Sequence, residues 1–389
     1  MRIAILATDS RENARQYERE QPGFGTAPEA LLQGFAALPE VEMHVISCTQ
    51  RPMRAPAKLA DNIFFHSLFV PKIGWLRTGY QGCIRAVRKK LKEIPPDFVH
   101  GQGTERDCAI SAVFSGHPNV VTIHGNMVEL ARLFKARIGS YGWLAARLED
   151  FTLRRTEGVF CNSAYTEQLV RPRAKKIWRV PNALRREFFC PPGDSGASRP
   201  CVLLNVGVVG PRKRQLELLD VAQNLRCQGL KFEFHFIGHV NPSDTYAATF
   251  LERLKPLATE GYARHSDNVP TRQLIDCYDA AAGLVHFPSE EAFGLVVAEA
   301  LARNLKFFGS RLGGIVDIAE GVSGAELFAE NDWAGLTAAL TRWIEHGHPR
   351  PRDAHALMAA RYHPEKVARQ HVEIYREVLS SNAYGHQPS

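Results

Sequence analysis

Short apolar runs rich in β-branched and aromatic residues alternate along this chain with stretches in which apolar residues recur every three or four positions. The first kind of run suits a strand buried on both faces, and the second suits a helix with one buried stripe. The pattern predicts strands over 2–8, 42–48, 62–68, 97–102, 119–125, 158–163 and 176–182, with helices such as 27–38 and 82–94 between them. After the segment "CPPGDSGASRP" (190–200), too rich in Pro, Gly and Ser to pack, the alternation restarts. Strands are then expected over 201–209, 231–240, 283–288 and 305–310, and helices over 214–228 and 271–282. The stretch 365–381 has the amphipathic spacing of a terminal helix. Strands separated by helices imply parallel sheets wound by right-handed crossovers. The expected organisation is two doubly wound α/β domains facing across a cleft: an N-terminal, acceptor-side domain over 1–190, a linker over 191–200 and a C-terminal domain over 201–364. A last helix and polar tail over 365–389 would cross back to the first domain.

Composition narrows the class. The chain has 389 residues, 45% hydrophobic and 23% charged, with no apolar run long enough to span a bilayer and no signal-peptide pattern at its start. Its eight cysteines are scattered and contain no CxxC pair, which points to reduced thiols and a cytoplasmic setting. Charge is divided unevenly. Residues 1–195 hold 28 basic against 19 acidic side chains, whereas 196–389 hold 20 against 22, so the whole +7 excess belongs to the first half. Such a field attracts anions, either anionic substrates or the anionic inner face of a membrane. Arg85, Arg88, Lys89 and Lys92 would form one basic face of the 82–94 helix. No nucleic-acid-binding motif accompanies the charge, so nucleic acid is not an expected partner.

The candidate chemistry gathers in "PSEEAFGLVVAEALA" (288–302). A loop leaves the strand 283–288, and a helix begins near Gly294 with unpaired amides at Phe293, Gly294 and Leu295 and the positive end of its dipole behind them. Glu291 stands before those amides, and Glu299 lies inside an otherwise apolar helix. Glu299 reads either as a buried acid satisfied by the helix start and a neighbouring arginine, or as an acceptor for ligand hydroxyls. Amides for a phosphate beside carboxylates for a polyol would suit a sugar nucleotide.

These residues carry a resemblance. "HFPSEEAFGLVVAEALA" resembles the signature of family 4 retaining glycosyltransferases, whose GT-B architecture consists of two Rossmann-like domains, and Glu291 and Glu299 match its paired glutamates in register. "NVGVVGPRKRQLELL" (205–219), "VTIHG" (121–125), "VFCNSAYTEQLV", "RVPNA" and "GGIVDIAEGVSG" (313–324) resemble further segments of the family. The resemblance implies that Glu299 accepts the ribose hydroxyls of a nucleoside diphosphate sugar and that Glu291 faces the transferred sugar. It further implies that Phe293, Gly294 and Leu295 supply amides to sugar or phosphate. Lys213 matches the family lysine that neutralises the departing diphosphate, a charge that grows as the glycosidic bond breaks. His124 matches the histidine that contacts the donor sugar, and Gly23 and Gly25 match a glycine loop near phosphates and acceptor. Two departures stand out: Val208 occupies the place of a second cation, and Val316-Asp317 replaces Pro-Glu. Arg212 or Arg214 would then supply the missing charge.

The function so implied is retaining transfer of a hexosyl group from a nucleotide sugar to a glycan, lipid-linked or small-molecule acceptor, without cofactor or metal. The alternative is a binding subunit of the same fold that has lost turnover through Val208. His100, Glu105 and Arg106 in "HGQGTER" are further acceptor-side candidates. A nicotinamide-dependent oxidoreductase is disfavoured, because the loop after the first strand contains no compact GxGxxG.

Overall fold

The computed structural model describes residues 1–190 and 201–384; the expected linker, 191–200, lies outside the described residues, as does the end of the tail. The chain divides into two compact units, Met1–Arg185 with Tyr362–Ser389, and Arg186–Arg361.

The first unit is built on eight strands: β1 (Arg2–Leu6), β2 (Glu42–Thr49), β3 (Lys58–Ala60), β4 (Ile63–Phe69), β5 (Phe98–Gln102), β6 (Asn119–Ile123), β7 (Gly158–Cys161) and β8 (Ile177–Arg179). Their order is β3-β4-β2-β1-β5-β6-β7-β8, parallel except for the β3–β4 pair. The winding reverses between β1 and β5, which makes that boundary the topological switch point of the sheet. Strands β5, β6 and β7 are buried along their whole length, and the polar His100, Gln102, Asn119 and Thr122 inside them are hydrogen-bonded.

The terminal helix Pro364–Tyr384 belongs to this unit and lies on the helix Thr26–Ala36. Contact is close because residue 34 is glycine: a Cβ there would stand 2.1 Å from the carbonyl oxygen of Pro364. Val367, Ala368, Val372 and Tyr375 enter the core formed by Ile3, Phe35, Phe98 and Phe160.

The second unit carries β9 (Val202–Val206), β10 (Glu233–Ile237), β11 (Ala263–Ser266), β12 (Gly283–His286), β13 (Lys306–Ser310) and β14 (Ala325–Phe328). Their order is β11-β10-β9-β12-β13-β14, all parallel. Its switch point falls between β9 and β12. All the strands expected from the hydrophobic pattern are present. The pattern missed β3, β11 and β14, which sit at sheet edges and are only partly buried, so they lack an unbroken apolar run.

Candidate active site

The expected site residues fall into two groups, one in each unit. In the second unit they occupy the loops after β9 and β12, the two strands that flank its switch point. The helix Leu295–Ala302 begins where expected, with Gly294 at its N-cap in the left-handed region (φ 101°). Gly313 and Gly314 press the preceding loop into place. The Gly314 N–H donates to the Glu291 carbonyl at 3.1 Å, and a Cβ on Gly313 would stand 1.9 Å from that same oxygen. In the first turn of this helix the Val297 N–H donates to the Gly294 carbonyl at 2.9 Å, whereas the Leu295 and Val296 amides have no helical carbonyl one turn back to bond.

Lys213 ends the 3-10 turn Pro211–Lys213, which is fastened to the other loop by the Ser289 N–H donating to the Arg212 carbonyl (2.9 Å). The Lys213 stem runs over Gly207, its Cε 3.5 Å from where a Cβ would be, and its Nζ donates to Oε2 of Glu291 at 2.5 Å. His286, the last residue of β12 and fully buried, donates from Nε2 to the same oxygen at 3.0 Å. Burial works against the Glu291 carboxylate, but Lys213 and His286 outweigh it and hold its pKa well below the usual range. Burial, reinforced by Lys213, lowers His286 to about 4, so it is a neutral donor. Glu291 is thus a fixed anion under one cation.

Glu299 is buried, and its Oε2 accepts from the Tyr278 hydroxyl at 3.3 Å. Phe293 is buried, while Leu295 is only partly so. Arg212 pairs with Glu290 at 2.9 Å, so the glutamate outside the family register is the one that engages this arginine. Arg214 turns away to Glu330 and the ring of Trp333. Val208 is 60% exposed at the rim of the loop after β9. Of the two arginines considered as replacement cations, only Arg212 points toward the 288–302 loop, and it is already paired.

In the first unit, His124 follows β6, and its Nε2 donates to Oε1 of Gln102 at 2.9 Å. Burial lowers its pKa to about 4, with Asn182 pulling the other way, so at neutral pH the ring is an uncharged, oriented group. Gly25 caps the helix Thr26–Ala36, and Gly23 is held by its own N–H donating to Asp9 at 3.4 Å and by its carbonyl accepting from Ser10 at 2.7 Å. Of the three lesser candidates, His100 is enclosed in the core, both ring nitrogens engaged by Tyr375 and Thr122, and cannot reach a ligand. Burial raises Glu105 to about 7 against the pull of backbone amides that include Gly125. Arg106 lines an open pocket.

Sequence reasoning missed His286 and Gln102. Both lie at the carboxyl ends of strands, the signal that singled out His124.

Two family models match the chain, Glycosyltransferase Family 4 over residues 23–188 and Glycosyl transferases group 1 over residues 195–360. The chain belongs to glycosyltransferase family 4. No curated protein matches this glycosyltransferase in sequence. Its fold is similar to that of sucrose-phosphate synthase from Thermosynechococcus elongatus (TM-score 0.75, 16% identity, 98% of this chain and 100% of the other covered). It is also similar to Anabaena HepE in complex with UDP-glucose (0.69, 16%, 98% and 100%) and to trehalose 6-phosphate synthase from Burkholderia multivorans (0.69, 14%, 100% and 98%). The glycosyltransferase therefore has the GT-B fold, two parallel-sheet α/β domains.

Proposed function

We propose that this glycosyltransferase moves a hexosyl group from a nucleoside diphosphate sugar to an acceptor with retention of configuration. The observation that carries this reading is the pairing of Lys213 with Glu291 beside the first-turn amides of Leu295–Ala302. One cation, a fixed carboxylate and a row of N–H donors then converge at a switch point, as a glycosylated diphosphate requires. The structure of HepE was solved with UDP-glucose, which makes a uridine nucleotide the first donor to try.

As the glycosidic bond breaks, the electron pair leaves with the diphosphate. Lys213 neutralises that charge while the departing phosphate oxygen takes the acceptor proton and the acceptor oxygen bonds the anomeric carbon on the same face. Glu291 sits under the electron-poor sugar without bonding to it, Glu299 grips the ribose, and the amides of Phe293, Gly294 and Leu295 hold sugar or phosphate oxygens. Arg212 adds charge near the diphosphate, Gly23 and Gly25 let the chain approach it, and His124 offers a neutral hydrogen bond to the sugar. On this reading no metal or other cofactor is called for, since Lys213 and the amides would carry the stabilisation that a cation otherwise supplies.

We also propose that the acceptor is a glycan, a lipid-linked sugar or a small molecule and that the first unit docks on anionic lipid. Arg85, Arg88, Lys89 and Lys92 are exposed on one helix face, with Ile73 and Phe69 exposed nearby. No helix among the described residues is long and apolar enough to cross a membrane.

The exposed Val208 favours a second reading, a subunit that binds the nucleotide without turnover. Melting curves with UDP, GDP, ADP and their sugars decide the first step: the matching nucleotide raises Tm, and Glu299→Ala removes most of that rise. Product from any donor, with the anomeric configuration read by NMR, excludes the binding-only reading. An inverted product sinks retention.

A further inference from the structure

The first unit holds a second concavity, of about 870 Å³, that neither the family signature nor the hydrophobic pattern points to. Its walls come from the segments that follow β1, β2, β4 and β5, with Tyr141 from the segment after β6, so it opens at the carboxyl ends of the strands on both sides of this sheet's switch point. Arg106 bridges that point by donating to Oδ1 of Asn13, and its guanidinium lies 4.9 Å from the Trp75 ring. Trp75 and Tyr80 are buried against the core and form a rigid wall. Tyr80 holds a left-handed backbone (φ 60°), a strained conformation that the packing of its ring sustains.

Charge distinguishes this pocket from an ordinary surface groove. Arg15, Arg51, Lys72 and Arg106 line it, against one carboxylate, Glu12. That carboxylate is turned to the backbone, accepting from the Gln50 N–H at 3.0 Å. Among the described residues none of the four cations has an ion-pair partner. Arg51 is stacked on Tyr17 at 4.7 Å, which orients its guanidinium without neutralising it. Four cations without a direct ion pair in one concavity repel one another, an arrangement that an anion relieves. Tyr141, 53% exposed at the rim, adds a sugar-sized aromatic face.

We infer that this pocket binds a saccharide bearing a phosphate or carboxylate group, and that the acceptor of the glycosyltransferase is such an anionic sugar. The role as acceptor rests on the proposed function; the binding site itself does not.

Calorimetry without donor tests it, with glucose 6-phosphate, glucuronate and glucose as probes. The two anionic sugars should bind at least tenfold more tightly than glucose, and more weakly as salt rises. Arg51→Ala with Lys72→Ala, two exposed side chains whose loss leaves the core intact, should weaken the anionic sugars tenfold or more and leave UDP binding unchanged. Glu299→Ala should do the reverse. Equal binding of glucose and the anions, no binding of either anion at millimolar concentration, or anion binding indifferent to Arg51 and Lys72, overturns the assignment. UDP binding that persists under any of these failures leaves the transferase reading intact. Anionic sugars that bind only when presented on lipid vesicles would overturn the soluble pocket in favour of membrane capture.

Discussion

At the scale of single residues, the decisive feature is that one carboxylate oxygen receives both Lys213 and His286. A half-buried lysine and glutamate at this distance stabilise each other, yet each would be costly if left alone. Lys213→Met is therefore expected to lower Tm and, if the lysine meets the leaving diphosphate, to reduce turnover by about 10²–10³-fold. Adding Glu291→Gln should recover much of the lost stability, because no uncompensated charge is then buried, without recovering turnover. Recovery of both would show that the pair is only structural. Urea titration and initial rates on the same preparations separate the two outcomes.

At the scale of elements, loop conformation is set by glycines that leave room for a neighbouring backbone. Gly313 has φ 56°, and a side chain there would collide with the carbonyl oxygen of Glu291. Gly313→Ala should displace the Glu291 loop and weaken nucleotide-sugar binding by an order of magnitude or more, while the β12–β13 pairing and the far-UV spectrum are kept. Unaltered binding by this variant would mean that the loop's shape is irrelevant to the ligand. Gly34 works in the same way between helices, admitting Pro364–Tyr384 close to Thr26–Ala36, so that the end of the chain completes the core of the first unit.

For the whole molecule, buried neutral histidines govern the response to acid. Burial lowers His124, His235, His286 and His371 to about 4, and His100 well below its ordinary value. Unfolded, each would protonate near pH 6.5. Between about pH 6.5 and 4 the unfolded chain therefore binds more protons than the folded one, and stability falls as pH falls through that window. Below it, protonation of Glu291 removes a further contribution. Urea midpoints measured from pH 7.5 to 4.5 should decline steeply, with several protons taken up on unfolding. A flat profile would mean that these histidines are charged in the native state.

The fold was legible in the sequence wherever strands are buried on both faces, because short runs rich in apolar and β-branched residues survive there. The second unit's site was legible too, since Glu291, Glu299 and Gly294 lie within one strand–loop–helix segment whose geometry follows from local spacing. Edge strands such as β11 escaped, for three or four partly exposed residues are too few to carry a pattern. Side-chain direction also escaped: whether Arg212 or Arg214 turned to the 288–302 loop, and that His100 is core rather than ligand-facing, depended on partners 78 to 275 residues away. The pocket lined by Arg15, Arg51, Lys72 and Arg106 is the extreme case. Its cations are scattered over four loops, and only a parallel sheet that reverses its winding between β1 and β5 brings them to one place. Local periodicity thus determined which segments are strands and helices and where the glutamate pair sits, whereas long-range packing alone decided which charges meet, because a contact between distant segments leaves no trace in the spacing of either.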